Sequence, residues 1–523
     1  MGGTSMRLKT QSAIPGKNIP LIFSLEVRDG KIDSRAEDPS GEVSGGCPFF
    51  YPPASQFVMK PPLRPIIALV MLAIAPFAGA QRRIVVVPDG GKPKDIPIDA
   101  VFDGSKLWDN TDATLEAAWK DKGFKWLSTQ VKDHGVIRRD NWGFQQVKLS
   151  AFGNKNVEEV SFVLKGGKLS EVSLAVWNKG DSQNAAISEK DFSAIVEDWS
   201  AELNHRVAPK FEDRGKDKTS AARAERRMWA GKDMLAQLEY SGVWEKTRDP
   251  KTGREHGKTF QGEFIRLRLM PKPASLVGIN TAAVSGTTVR RSDLTKSVKR
   301  ETGGDVFVDN IPMVDQGDKG YCAVATAARL FNYYEIPADQ HEMAQIAGNP
   351  AGGGGTNPDE MEAALRKISG KYKVRFQTLM DLDYSSHKYQ SFMVKYNRAA
   401  KKLGKKVLDT QNYIYFFGGL DPEVLREVNG NGPTYEKFMR IVRENIDKGV
   451  PVMWGLQLGM FPENGERSRQ SRGGHMRLII GYNTTTKEII FSDSWGAGHE
   501  KKRMAAPDAS AATMGLYLLQ PAA

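Results

Sequence analysis

Four residue groups in this 523-residue chain have the types and spacing for acyl chemistry. Cys322 ends the stretch Gln316-Gly-Asp-Lys-Gly-Tyr-Cys322, His475 lies in Gly-Gly-His-Met-Arg-Leu-Ile-Ile-Gly-Tyr, and Asp493 opens Asp-Ser-Trp-Gly. A thiol attacks well only as its thiolate, and an imidazole alongside favours that form while serving as the base. A carboxylate on the second ring nitrogen fixes the tautomer. Gln316, six residues before the cysteine, offers an amide that could bind a developing oxyanion together with the backbone N–H of Cys322. The order supplies an oxyanion donor, a nucleophile, a base and an orienting group.

The elements around these residues can bring them together. Ala323, Ala327, Leu330, Phe331 and Tyr334 recur at helical spacing, so Cys322 should sit where a loop enters a helix, with the positive dipole end favouring its thiolate. Residues 475–482 and 488–493 read as a hairpin turning at Asn483-Thr-Thr-Thr-Lys487, which sets His475 and Asp493 near opposite each other. Trp495 would shield their hydrogen bond from water. A further helix is expected from Asp339, another over 386–405, another over 435–448, an apolar strand over 451–458 and a last strand over 514–519. Lys401-Lys402 and Lys405-Lys406 read as a solvated helix face. Thr356-Asn-Pro-Asp opens a helix before Met361 and Leu365.

These motifs resemble the papain-like cysteine peptidase superfamily, in which Gln, Cys, His and Asn or Asp occur in this order. The six-residue gap from Gln316 to Cys322 and the Asp-Ser-Trp-Gly ending carry most of the resemblance. It is nearest to the bacterial bacteriocin-processing, double-glycine type of peptidase domain and covers about residues 305–520. The resemblance implies Cys322, His475, Asp493 and Gln316 as catalytic residues and a peptide or protein as substrate. It also implies a substrate edge, for which Gly354 and Gly355 are candidates, with Trp495 beside them. A glycine run of that kind is equally what a flexible loop before a helix shows. The sequence departs from the family pattern at Lys319, where a disulfide-bonded cysteine is usual, and at Ala323, where an aromatic residue is common. Asp493 stands in for the plant-enzyme Asn, and the basic insert over 463–472 has no counterpart.

The rest of the chain bounds the reading. A hydrophobic fraction of 40% and a charged fraction of 26% are ordinary for globular protein, and the length calls for two or more domains. The +12 charge comes without an RNP-like motif, zinc-finger spacing or helix-turn-helix signature, so no nucleic acid partner is expected. No metal or other cofactor is expected, because no His, Cys or Asp set has ligand spacing. Residues 59–80 have a basic start, an apolar run and Ala78-Gly79-Ala80, the parts of a secretory signal peptide. The run is short of the ~20 residues a membrane span needs. Residues 1–58 then read as an unstructured extension upstream of the true start, the protein as exported to the periplasm, cell envelope or outside, and no stable membrane span is expected after cleavage. Only Cys47 and Cys322 occur, so loss of the leader leaves a lone thiol, for which reactivity is one of the standard explanations.

Residues 82–270 read as a separate α+β domain of unreadable chemistry. It has a Val-rich strand before Pro97, a helix over 112–120, a meander over 145–177, and a helix opened by Ser188 and lined by Phe192, Val196, Trp199 and Leu203. A further helix is expected around Met228, Leu235 and Leu238, then a strand over 260–269. Residues 271–302 read as a linker, and 303–523 as an α+β papain-like domain with helices followed by an antiparallel sheet. Of the other histidines, His134, His205, His256, His341 and His387 are read as loop or helix-face residues, and His499 as the alternative base. Three functions fit: a cysteine peptidase, an acyl transferase on the same triad, or a peptide-binding module that keeps the triad without catalysis.

Overall fold

The computed structural model describes residues 5–14, 17–28 and 31–37 and, from residue 94 to 521, most of the chain. Segments 140–146, 182–185, 217–223, 249–254, 274–288, 318–319, 348–361 and 382–388 and a few shorter stretches fall outside the description. The chain divides into two compact units, Met1–Gly91 and Lys92–Ala523.

In the first unit, β1 (Ser5–Ile14), β2 (Lys17–Arg28) and β3 (Lys31–Glu37) form an antiparallel sheet. This differs from the reading of residues 1–58 as unstructured. The sequence between the strands is Pro15-Gly16 and Asp29-Gly30, and Asp-Gly is a two-residue hairpin signal. The leader segment 59–80 lies outside the described residues.

The second unit is α+β. Its first half contains β4 (Lys94–Pro97), β5 (Lys125–Trp126), β6 (His134–Arg138), β7 (Val147–Ala151), β8 (Lys155–Val157), β9 (Glu159–Lys165) and β10 (Lys168–Asn178). They are followed by β11 (Glu212–Lys216), β12 (Glu225–Ala230), β13 (Met234–Arg248) and β14 (Glu255–Pro271). An antiparallel sheet runs β11-β12-β13-β14-β10-β9-β6-β5, while β4, β7 and β8 form a small sheet of their own. The expected meander is therefore a β9–β10 hairpin, with β7 pairing β4 in parallel instead. Ser188 caps the helix Glu189–Arg206 through the backbone N–H of Asp191, at 3.1 Å. Phe192, Val196, Trp199 and Leu203 form its buried stripe. The helix expected at Met228, Leu235 and Leu238 is instead the β12–β13 hairpin, with Ala230 paired to Leu235. Gly231-Lys-Asp turns the chain there, and the spacing of the three apolar residues fits a helix only by coincidence.

The second half builds a sheet in the order β15 (Val298–Arg300), β16 (Asp305–Val308), β19 (Gly473–Asn483), β18 (Val452–Leu458), β22 (Thr513–Pro521), β17 (Val374–Asp381). β20 (Glu488–Ser492) pairs with β19 and with β21 (Lys502–Ala505). The stretch read as a linker thus contributes its end, β15, as an edge strand. One core gathers the helices Tyr389–Lys402, Pro422–Asn429, Gly432–Ile446 and Ala506–Ala512 against Trp454, Leu456 and Ile479. Another gathers Cys322–Tyr333 and Gln340–Ala347 against Met453, Met476 and Leu478. Neighbouring residues of β18 and β19 thus belong to different cores. This is the alternation expected of strands covered on both faces, and it explains their near-continuous apolar sequence. The Thr356 helix start and His387 lie outside the described residues.

Candidate active site

The site grows from the end of one helix and the end of one strand. Cys322 is the first residue of its helix, with Tyr321 before it as a cap that makes no side-chain bond to the turn. The first-turn N–H groups are therefore without a capping side chain from Tyr321. The same helix face carries Thr326 and Arg329, four and seven residues on. Thr326 Oγ1 donates to the Met476 carbonyl at 3.3 Å and lies 3.3 Å from Ser494 Oγ. Arg329, fully buried, donates to the carbonyls of Pro312 (2.9 Å) and Asp493 (2.9 Å) and to Ser492 Oγ (2.6 Å). Burial draws its guanidinium down to about 10, against the opposing pull of Asp493 and Glu500. It ties the helix of Cys322 to the segment that bears the Asp493 carboxylate.

His475 meets Asp493 through Nε2 and Oδ1 at 2.7 Å, both side chains wholly buried. The two residues, expected near opposite each other, make a contact that runs diagonally across the ladder. Leu478 pairs with Ser492 after a bulge at Ile479–Gly481, so the ladder continued one step sets Asp493 level with Arg477. His475 and Arg477, two apart, share a face of β19 and flank the carboxylate. Arg477 Nε lies 2.6 Å from Asp493 Oδ2, and its other nitrogens grip Glu463 at 2.7 and 3.1 Å. Lys502 reaches the same glutamate at 3.0 Å. Glu463 begins the insert that had no family counterpart, and the structure wires it into the site. Asp493 Oδ1 also accepts the Ser494 N–H at 2.9 Å.

With Nε2 engaged by Asp493, Nδ1 is the ring nitrogen left for Cys322. Nδ1 makes no hydrogen bond in the structure, and the imidazole and the thiol act on each other's charge. Burial alone would push the Cys322 thiol up; the His475 ring and the backbone at Met476 and Ala323 outweigh it and hold it below the usual thiol value. Burial would likewise lower His475, but Asp493 and then Cys322 push it up to about 9. Asp493 is held well below the usual carboxylate range, burial being outweighed by Arg477 and His475. Cys322 is a partly buried residue and is free of any disulfide.

Trp495 lies flat on the His475 ring, with centroids 4.4 Å apart and planes 12° apart. At 3% exposure it covers the ring but presents little surface of its own to a substrate. Gln316 is buried, with its N–H donating to Ser494 O at 2.7 Å and its Oε1 without a partner. Gly317 and Gly320, at φ 60° and 70°, turn the loop between it and Cys322. Gly354 and Gly355 lie outside the described residues. Among the rival histidines, His134 opens β6 and His256 lies in β14, so both belong to strands. His205 is in the last turn of its helix, and His341 is buried edge-on to Tyr321. His499 packs edge-on to Trp495 and accepts the Asp493 N–H with its carbonyl, so it supports the site from outside the Cys322–His475 contact.

Residues 308–515 match the Peptidase_C39 like family. No curated protein matches the chain. The matched stretch has a peptidase-type fold, consistent with the papain-like resemblance of its motifs, and it holds all four residue groups. The sheet β5–β14 lies outside it. Two residues the motifs did not reveal are Arg329 and Arg477. Their signals were helical spacing from Cys322 and strand spacing from His475, readable only once the partners were known.

Proposed function

We propose that the chain is a cysteine peptidase, with Cys322 as nucleophile, His475 as proton shuttle and Asp493 as the group that orients it. What supports this is a partly buried cysteine at a helix start whose thiol is held below its usual value by an imidazole, itself locked through Nε2 to a buried carboxylate. The thiolate attacks the peptide carbonyl carbon, and the imidazolium passes its proton to the departing amine, leaving a thioester. Water then attacks the thioester with His475 as base, releasing the acid and restoring the thiol. Gln316 and the Cys322 N–H are the donors for the oxyanion in both steps. Cleavage of a peptide library by the full chain tests this: Cys322→Ala should abolish it, and retained cleavage refutes it. Products with an added amine separate hydrolysis from acyl transfer. Export is part of the same proposal, resting on the leader-like sequence 59–80. N-terminal sequencing of the mature protein checks it, and a mature chain that retains residues before Met59 overturns it.

A further inference from the structure

The sheet outside the family match reaches the loop before Gln316 through Arg138. Arg138 ends β6, where it pairs across the ladder with Glu159 on β9, which accepts from its Nε at 2.7 Å. Thus held, the guanidinium grips Asp315: Nη1 lies 3.0 Å from Oδ1, and Nη2 donates to the backbone carbonyl at 2.8 Å. From the other side Arg469, in the basic insert, binds the same carboxylate at 3.2 and 3.1 Å. The Asp315 side chain is nearly buried between the two.

Asp315 directly precedes Gln316, and its segment is laid like an extra strand on the segment after Asp493. Asp315 bridges Trp495, the Gln316 N–H donates to Ser494 O at 2.7 Å, and the Gly496 N–H to Val314 O at 3.2 Å. The Asp315 carboxylate also caps Gly317 N–H at 2.8 Å, at the turn toward Cys322. A shift of Asp315 therefore moves the Gln316 oxyanion donor, which follows it directly in the chain. Burial would weaken the Arg138 charge, but Asp315, Glu159 and Asp181 outweigh it and keep it firmly protonated.

We propose that Arg138, supplied by the preceding sheet, is a positioning residue for the peptidase centre, fixing the Asp315–Gln316 loop so that the oxyanion donors stand ready. This rests on the reading of Cys322 as nucleophile. It gives β5–β14 a part in catalysis and makes the second unit one functional body.

The test compares two reactions of Cys322 in the full chain. Acylation by p-nitrophenyl acetate passes through an oxyanion; alkylation by iodoacetamide does not. Arg138→Gln combined with Glu159→Gln removes the fork without stranding the glutamate. Acylation should slow by ~10²-fold, the scale expected when a catalytic donor is misplaced by about 1 Å, while alkylation and its pH profile stay unchanged. Arg138→Lys, which keeps the charge but loses the fork, should fall between, and it decides by the same ratio if the double variant does not fold. Acylation and alkylation changing together, or neither changing, overturns the proposal. Failure of the unmodified chain to acylate at Cys322 instead overturns the underlying peptidase reading, and the two failures are told apart by that control.

Discussion

Replacing Asp493 by Asn measures how much of the Cys322–His475 pairing is electrostatic. An amide oxygen can still accept the ring N–H, so the ring keeps its partner while the charge goes, and the amide NH2 then faces Arg477 in place of Oδ2. In the native site His475 stands at about 9, although burial works against it, and Asp493 is the first of the groups that raise it. Without that charge the ring should fall to its ordinary value of ~6.5 or below, a loss of about 2.5 pH units, or ~3 kcal/mol. The sign follows from a raised imidazole. The ion pair is fully present at low pH down to the point where the thiol itself protonates, and it is lost as pH rises through about 9. In the variant it is lost by ~6.5. Since part of the native shift comes from Cys322, the equilibrium constant favouring the ion pair over the neutral pair should drop roughly 100-fold. The assay is iodoacetamide labelling against pH in a Cys47→Ser background, read by mass spectrometry of the peptide bearing Cys322. The native thiol should label well below pH ~8.5, and the variant only as an ordinary or buried thiol titrates. A variant with the native profile would refute the reasoning.

Other outcomes follow from the same contacts. Gln316→Ala should cut kcat by about 10²–10³ with alkylation of Cys322 preserved, as loss of one oxyanion donor does; equal loss of both would show a collapsed loop. Arg477→Met leaves Asp493 and Glu463 buried without their shared cation, and urea unfolding should show a loss of about 3–5 kcal/mol. Gly449 has φ +74°, and a Cβ there would lie 2.0 Å from the Leu294 carbonyl oxygen. Gly449→Ala should therefore lower stability by more than ~1–2 kcal/mol in thermal unfolding, with activity of the folded fraction unchanged.

The parts of the site legible in the sequence are those set by local rules. Helical spacing after Cys322 and the apolar run from His475 to the Asn483 turn fixed the helix and the hairpin, as Cys322–Tyr333 and β19–β20 show. The diagonal His475–Asp493 contact was beyond reach because one bulge shifts the register, and bulges leave no reliable sequence mark. Long guanidinium side chains were also hidden. Arg138, Arg329 and Arg477 act on partners far along the chain, and nothing near them in sequence announces those partners. Met228, Leu235 and Leu238 misled because a turn between two strands reproduced helical spacing, a reminder that period alone cannot separate short apolar runs.

The claim beneath all of this is that the imidazole at 475 keeps the sulfur at 322 charged. The direct measurement is the alkylation rate of Cys322 at pH 6 in the native chain and in His475→Ala. The account predicts fast labelling in the first and slow, thiol-like labelling in the second. Equal rates would contradict it.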